Sequence, residues 1–154
     1  MDISFKTEVG RFNYRVSAVI IRNDCLLTVQ DNVYSYSYLP GGRVKMGETA
    51  EQALHRELME ELHADLPVIR PLWFCQDFFT ESDTLERFHE ICIYYLVDGT
   101  TLPEGEFSYA EDDRINRFSW TPIDKLSSMH LYPEFIKANI HHLPDHIEMI
   151  LETK

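Results

Sequence analysis

The sequence predicts an α/β domain in which a mixed β-sheet is sandwiched between helices. Three observations carry that prediction. Runs rich in β-branched and aromatic residues recur along the chain, and two of them are apolar on both alternating faces, as strands inside a covered sheet are. One stretch near residue 50 carries helix-start signals followed by an apolar stripe at helical spacing. Strands and helices also alternate along the chain instead of segregating. At 154 residues, 44% hydrophobic and 26% charged, the chain suits one folded domain over residues 1–154 with a real core.

"YRVSAVIIR" (14–22) reads as a buried strand, Asn23-Asp24 as a turn, and "CLLTVQ" (25–30) as the returning strand of a hairpin. The polar, aromatic "DNVYSYSY" and a tight "PGG" lead into a loop through Gly47. Thr49 then caps a helix, Gln52 completes a capping box, and Glu51 suits the N-terminal dipole. The helix is expected to run to about His63. "PVIRPLWFCQDFF" (67–79) and "RFHEICIYYLV" (87–97) are the doubly apolar strands. Residues 98–116 read as a long acidic loop, "RFSWTPIDKL" (117–126) as a short strand running into a turn, and "PEFIKANIHHL" (133–143) as a helix. The tail "HIEMILETK" is compatible with either helix or strand.

The net charge of −12, from 26 acids against 14 bases, argues against a nucleic-acid polymer as partner, because phosphate contacts need clustered Lys and Arg. An anionic ligand would require a locally recruited positive charge, and a divalent cation is the obvious one. The start "MDISFK" has neither the basic region nor the apolar run of a signal peptide, and no apolar stretch is long enough to span a bilayer. Cys25, Cys75 and Cys92 are odd in number and widely spaced, which suits buried thiols in a reducing cytoplasm.

The helix poses an electrostatic problem. Leu54, Ala50, Leu58 and Leu62 form its core stripe, while Glu57, Glu60 and Glu61 share a face through i, i+3 and i, i+4 spacing. Glu61 projects into the edge of the apolar stripe, where an uncompensated carboxylate is expensive. Two such charges about 4 Å apart repel by roughly 4 kcal/mol at an effective dielectric of 20. A proton shared among them would relieve this, and so would a cation. Hard oxygen ligands favour Mg²⁺ or Mn²⁺, both of which also bind substrate phosphates. Most Glu-rich helices simply present a solvated acidic face. Here the spacing from Gly42 through Glu48 to Arg56-Glu57-Leu58-Met59-Glu60-Glu61 argues otherwise, since a chance match at a given start is about one in 10⁷.

These residues resemble the signature of the Nudix hydrolases, G-x5-E-x7-R-E-U-x-E-E-x-G-U, where U is aliphatic. Every charged position is met between Gly42 and Glu61, and "LPGG" precedes it. His63 stands in place of the second glycine and Ala64 in place of a larger aliphatic residue. Histidine tolerates positive φ better than most side chains, so the expected left-handed helix end survives this departure. The resemblance extends over about residues 14–140 and implies an α/β/α sandwich.

The implied activity is hydrolysis of a nucleoside diphosphate linked to another group X, by water attack on phosphorus. Glu57, Glu60 and Glu61 would bind Mg²⁺ or Mn²⁺, one of them orienting or deprotonating the water. Arg56 would pair with a motif carboxylate, Glu48 among the candidates, and lock the geometry. Gly41 and Gly42 would allow a tight backbone path, with a main-chain carbonyl there available to complete a metal shell. Arg43 and Lys45, in the loop before the helix, either meet phosphates or lie on the surface. A fourth carboxylate from a later loop would be Glu111, beside Asp112 and Asp113, the alternative being that this run is a solvated loop. Many related enzymes pair as homodimers.

Weaker features remain open. Tyr34, Tyr36 and Tyr38 alternate, so one can stack on a base or all can line an ordinary surface. His89 and Glu90 either line the pocket or form a hydrogen-bonded pair at the sheet's end. "HHLPDH" (141–146) lacks transition-metal ligand spacing. A Nudix-fold sensor that binds a nucleotide without cleaving it is the alternative function, disfavoured because a sensor has no need for three costly acids. An isomerase acting on a prenyl diphosphate ranks last, since no Cys lies near the motif.

Overall fold

A computed structural model describes residues 1–153. Its strands are β1 (Ser4–Lys6), β2 (Arg11–Arg22), β3 (Cys25–Asp31), β4 (Gly41–Arg43), β5 (Val68–Thr80), β6 (Arg87–Val97), β7 (Phe107–Glu111), β8 (Arg114–Pro122) and β9 (Glu148–Thr153). Helix α1 spans Ala50–Leu62, a 3₁₀ segment Ile123–Ser128, and α2 Phe135–Asn139. The mixed sheet runs β7-β8-β3-β2-β6-β5-β9, with β1 and β4 also paired to β2.

Alternation along β2 divides its side chains between two cores. Val16, Ala18 and Ile20 pack with Leu54, Leu58 and Leu62 of α1, whereas Val19 joins Trp73, Cys75, Leu126, Ile136 and Ile140 on the other side. Helical cover on both faces gives the expected sandwich. No helix among the described residues is long and apolar enough to cross a membrane.

The sheet is split where the site forms. β2 meets β3 only at Ile21↔Leu26 and Arg22↔Cys25, beside a turn in which Asn23 and Asp24 both have positive φ. Away from that turn, Tyr38 exchanges backbone hydrogen bonds with Val29 of β3, and the Ala18 amide of β2 donates to Pro40. The segment entering β4 thus fills the gap between the two strands.

The expected capping box is present: the Gln52 amide donates to Thr49 Oγ1 at 3.1 Å, and the Thr49 amide to Gln52 Oε1 at 2.9 Å. His63 adopts the left-handed conformation (φ 54°, ψ 35°) and lies against the Tyr109 ring at 4.2 Å. Two local expectations need correction. The acidic loop contains β7 and the start of β8, because Phe107 and Tyr109 alternate toward the α1 core despite the charges around them. The helix expected over 133–143 shrinks to α2, which is anchored by Ile136 and Ile140 and followed by exposed His141 and His142. The tail is a strand, β9, parallel to β5. The short strands β1 and β4 carry no periodicity long enough to read.

Candidate active site

The C-terminal half of α1 faces the split in the sheet. Arg56 is the hub. Its Nε donates to Glu48 Oε1 at 2.6 Å and its Nη2 to Glu48 Oε2 at 3.0 Å, a bidentate clamp. Nη2 also reaches the Arg43 carbonyl at 2.9 Å, while Nη1 donates to Glu57 Oε1 at 2.8 Å and lies 3.5 Å from Glu60 Oε1. The Arg56–Glu48 hydrogen bonds hold the Glu48 pKa below the usual glutamate range. One cation therefore ties the loop before the helix, β4 and two helix acids together.

Glu57 and Glu61 are strained electrostatically. Burial pushes the Glu57 pKa up, with Glu60 adding to the rise and Arg56 opposing it. Glu61 is pushed well above the glutamate range by burial and by the fields of Glu57 and Glu111, against the pull of Arg15 and the Gly41 amide. Its Oε2 is cut off from solvent and has no hydrogen-bond partner. Glu60 is more open, with its side chain 46% exposed.

The glycines act through close approach. A Cβ on Gly41 would fall 2.1 Å from the Val16 carbonyl oxygen, and one on Gly42 would fall 2.2 Å from the Glu57 carboxylate carbon. Glu111 ends β7, accepts from Asn116 Nδ2 at 3.4 Å and is near enough to act on Glu61. Asp112 and Asp113 form the exposed turn beyond it. Among the described residues no group of three or more His, Cys, Asp and Glu side chains is arranged to hold a metal ion as it stands. Glu57 and Glu60 instead lean toward Arg56. In donor chemistry the set fits a hard divalent cation, being all carboxylate oxygens with one buried and unpartnered.

Two groups escaped the sequence reading. Arg15 of β2 stands directly opposite Arg43 of β4, so two cations share a face. Among the described residues the Arg15 guanidinium makes no hydrogen bond or ion pair, although burial, which opposes its charge, is outweighed by the fields of Glu90, Glu61 and other neighbours. A lone Arg in the apolar run "YRVSAVIIR" was the available signal. The second is Asp31, whose carboxylate accepts from the Val33 and Tyr34 amides, both at 2.8 Å, and from Tyr38 Oη at 2.7 Å. Burial works against its charge, but these bonds and Arg114 lower its pKa.

The tyrosines lie in a loop, not on one strand face. Tyr34 stacks on Tyr36 at 5.2 Å, and Tyr132 meets Tyr36 edge-on at 5.0 Å, while Tyr38 is engaged by Asp31. His89 and Glu90 point to opposite faces: His89 lies between Phe12 and Phe78, whereas Glu90 accepts from Asn13 Nδ2 at 3.3 Å. Arg43 also lies 3.8 Å from Asp2. Cys75 and Cys92 are buried, and burial pushes the Cys75 thiol up to about 12, so neither is a nucleophile at neutral pH.

A covered mixed sheet with an acid-rich helix docked at its split defines a class of α/β/α hydrolase fold. The family model for the NUDIX domain matches residues 11–143, and the chain therefore belongs to the Nudix family of hydrolases, which act on acid anhydrides of phosphorus. Among solved structures it is similar to an ADP-ribose pyrophosphatase from Streptococcus suis (18% identity, 91% of this chain and 98% of that one, TM-score 0.60). It is also similar to a Nudix hydrolase from Nitrosomonas europaea (20%, 84% and 86%, TM-score 0.58) and to a UDP-X diphosphatase (20%, 88% and 66%, TM-score 0.58). At these identities the likeness is one of fold. A search of curated protein sequences finds no match.

Proposed function

We propose that the protein hydrolyses the pyrophosphate linkage of a nucleoside diphosphate joined to a second moiety X, with Mg²⁺, or Mn²⁺ in its place, as cofactor. The observation that carries this reading is the buried, unpartnered Oε2 of Glu61, set within the fields of Glu57 and Glu111. An acid in that position destabilises the fold unless a ligand uses it. Glu57, Glu60 and Glu61 would hold the cation, with Glu111 as a further carboxylate. When bound, the ion supplies charge neutralisation at the phosphates and a more acidic water.

The chain's own groups do the rest. Arg56 positions Glu57 and Glu60 through its clamp on Glu48 and does not touch substrate. Arg15 and Arg43, opposite one another on β2 and β4, would receive phosphate oxygens. The exposed part of the Tyr34–Tyr36 stack is suited to a ring of the substrate. Water attacks one phosphorus, a new P–O bond forms as the bridging P–O bond breaks, and the bridging oxygen leaves with its electron pair on the departing phosphate. One proton of the water passes to a motif carboxylate. The products are a nucleoside monophosphate and the phosphorylated X. Similarity of fold to an ADP-ribose pyrophosphatase and a UDP-X diphosphatase supports this substrate class.

The test is a panel of nucleoside diphosphate sugars, dinucleoside polyphosphates and nucleoside triphosphates, incubated with Mg²⁺ or Mn²⁺ and analysed for phosphate products. Turnover of a diphosphate-linked substrate that chelation abolishes is expected. Tight nucleotide binding without product across the panel would replace the hydrolase reading with a sensor.

A further inference from the structure

We propose that Glu90 is a specificity-determining residue that selects a ribonucleotide over its 2′-deoxy counterpart, by accepting a hydrogen bond from the ribose 2′-hydroxyl. This rests on the reading of Arg15 as a partner of substrate phosphate. Glu90 and Arg15 share the sheet face turned away from α1. Val16 and Ile93 pack toward the helix, so the alternating residues Asn13, Arg15, Glu90 and Cys92 point to the other side. In register Arg15 faces Cys92 and Asn13 faces Glu90, which puts cation and acid in rows about 6.6 Å apart along the strands.

The acid is held in place. Ser4 Oγ donates to Asn13 Oδ1 at 2.6 Å, and Asn13 Nδ2 donates to Glu90 Oε2 at 3.3 Å. Asn13 is only 3% exposed, so its amide is committed to orienting one oxygen of that carboxylate. The other oxygen, Oε1, makes no hydrogen bond or ion pair among the described residues. Neither does the Arg15 guanidinium, although Glu90 is near enough to act on its charge. A cation and an anion that share a face without pairing leave a gap that donates at one end and accepts at the other.

That gap fits one class of ligand. Phosphate oxygens accept and suit Arg15, whereas hydroxyls donate and suit a carboxylate, which only accepts. A ribonucleotide carries both, roughly one strand row apart. The edge of its base lies farther from the phosphate, and the ring has a site of its own. Tyr36, which stacks on Tyr34 at 5.2 Å, is within reach of the Arg15 charge. The Glu90 row continues into Asp77 of β5 and Glu152 of β9. Carboxylates there turn phosphate away, and so set the direction in which the nucleotide lies.

The test is calorimetric titration of the full chain with AMP, GMP, CMP and UMP and with the 2′-deoxy form of each, without metal, so that binding is read apart from turnover. At least one ribonucleotide is expected to bind about 10- to 100-fold more tightly than its deoxy form, the range for a hydrogen bond to a charged group. Glu90→Ala is expected to bring that ratio to about 1 by weakening the ribonucleotide alone, while Glu90→Gln, which keeps the shape and the Asn13 bond, lowers it to a few-fold. Thermal melts of both variants check the fold. Equal affinities in every pair, or no binding by any of them, overturn the proposal. So does a preference that survives Glu90→Ala or, where that variant unfolds, one that Glu90→Gln leaves undiminished. Hydrolysis without a ribose preference removes the Glu90 assignment alone, whereas a ribose preference without hydrolysis in Mg²⁺ removes the hydrolase reading alone.

Discussion

Gly42 and Glu57 are in such close contact that no side chain fits between them: a Cβ at position 42 would lie 2.2 Å from the Glu57 carboxylate carbon and 2.4 Å from each of its oxygens. The strand residue thereby sets the position of the helix acid.

Gly42→Ala is expected to displace the Glu57 carboxylate while leaving the strand in place, because the obstacle is the far end of a side chain. Misplacing a reacting group by about 1 Å can lower turnover on the order of 100-fold. Steady-state kinetics beside a thermal melt checks this, and wild-type kcat in the variant would refute the proposed role of the contact.

Glu61→Gln keeps the shape and removes the charge. Turnover is expected to fall by about 10³-fold or more, as for loss of a principal electrostatic group. Stability should hold or rise, because a buried, unpartnered carboxylate oxygen is replaced by a neutral amide. A variant that loses activity only by unfolding, seen as a lowered denaturant midpoint, would place Glu61 in the scaffold instead.

Arg15→Gln removes one of two facing cations. Among the described residues the Arg15 guanidinium makes no hydrogen bond or ion pair, so the fold is expected to hold in the variant. KM is expected to rise roughly 10- to 100-fold with a smaller change in kcat, the pattern for lost ground-state binding. An unchanged KM for every hydrolysed substrate would exclude Arg15 from phosphate binding.

The Glu48–Arg56 clamp predicts an acid dependence. Glu48 has a folded pKa below its unfolded value, so between the two the unfolded chain binds more protons and stability falls as pH drops. The clamp's contribution is complete above the unfolded value, about 4.3, and disappears as pH falls through the folded pKa. Urea midpoints of wild type and Glu48→Gln are therefore expected to differ at pH 7 and to draw together as pH falls below the unfolded value. Parallel curves over that range would show that the clamp adds nothing.

The helix and the acids on its face were legible because they are local. Thr49 and Gln52 specify the start, the Leu54–Leu58–Leu62 stripe gives the buried face, and the charged spacing names the family. The loop from Asp98 was misread because its strand signal, Phe107 and Tyr109, is interrupted by acids whose side chains face water. The brevity of α2 and the parallel pairing of β9 depend on partners far along the chain, which no local window contains.

By itself the sequence determined the hairpin at Asn23-Asp24, the capped acidic helix and the identity of the acids on its face, since each follows from residues within a few positions of one another. Only the tertiary structure decided that Arg15 opposes Arg43, that Gly42 abuts Glu57, and that His89 and Glu90 leave the sheet in opposite directions. The physical reason is register. Pairing between strands distant in sequence fixes which side chains share a face, and a shift of one residue would exchange the two sides.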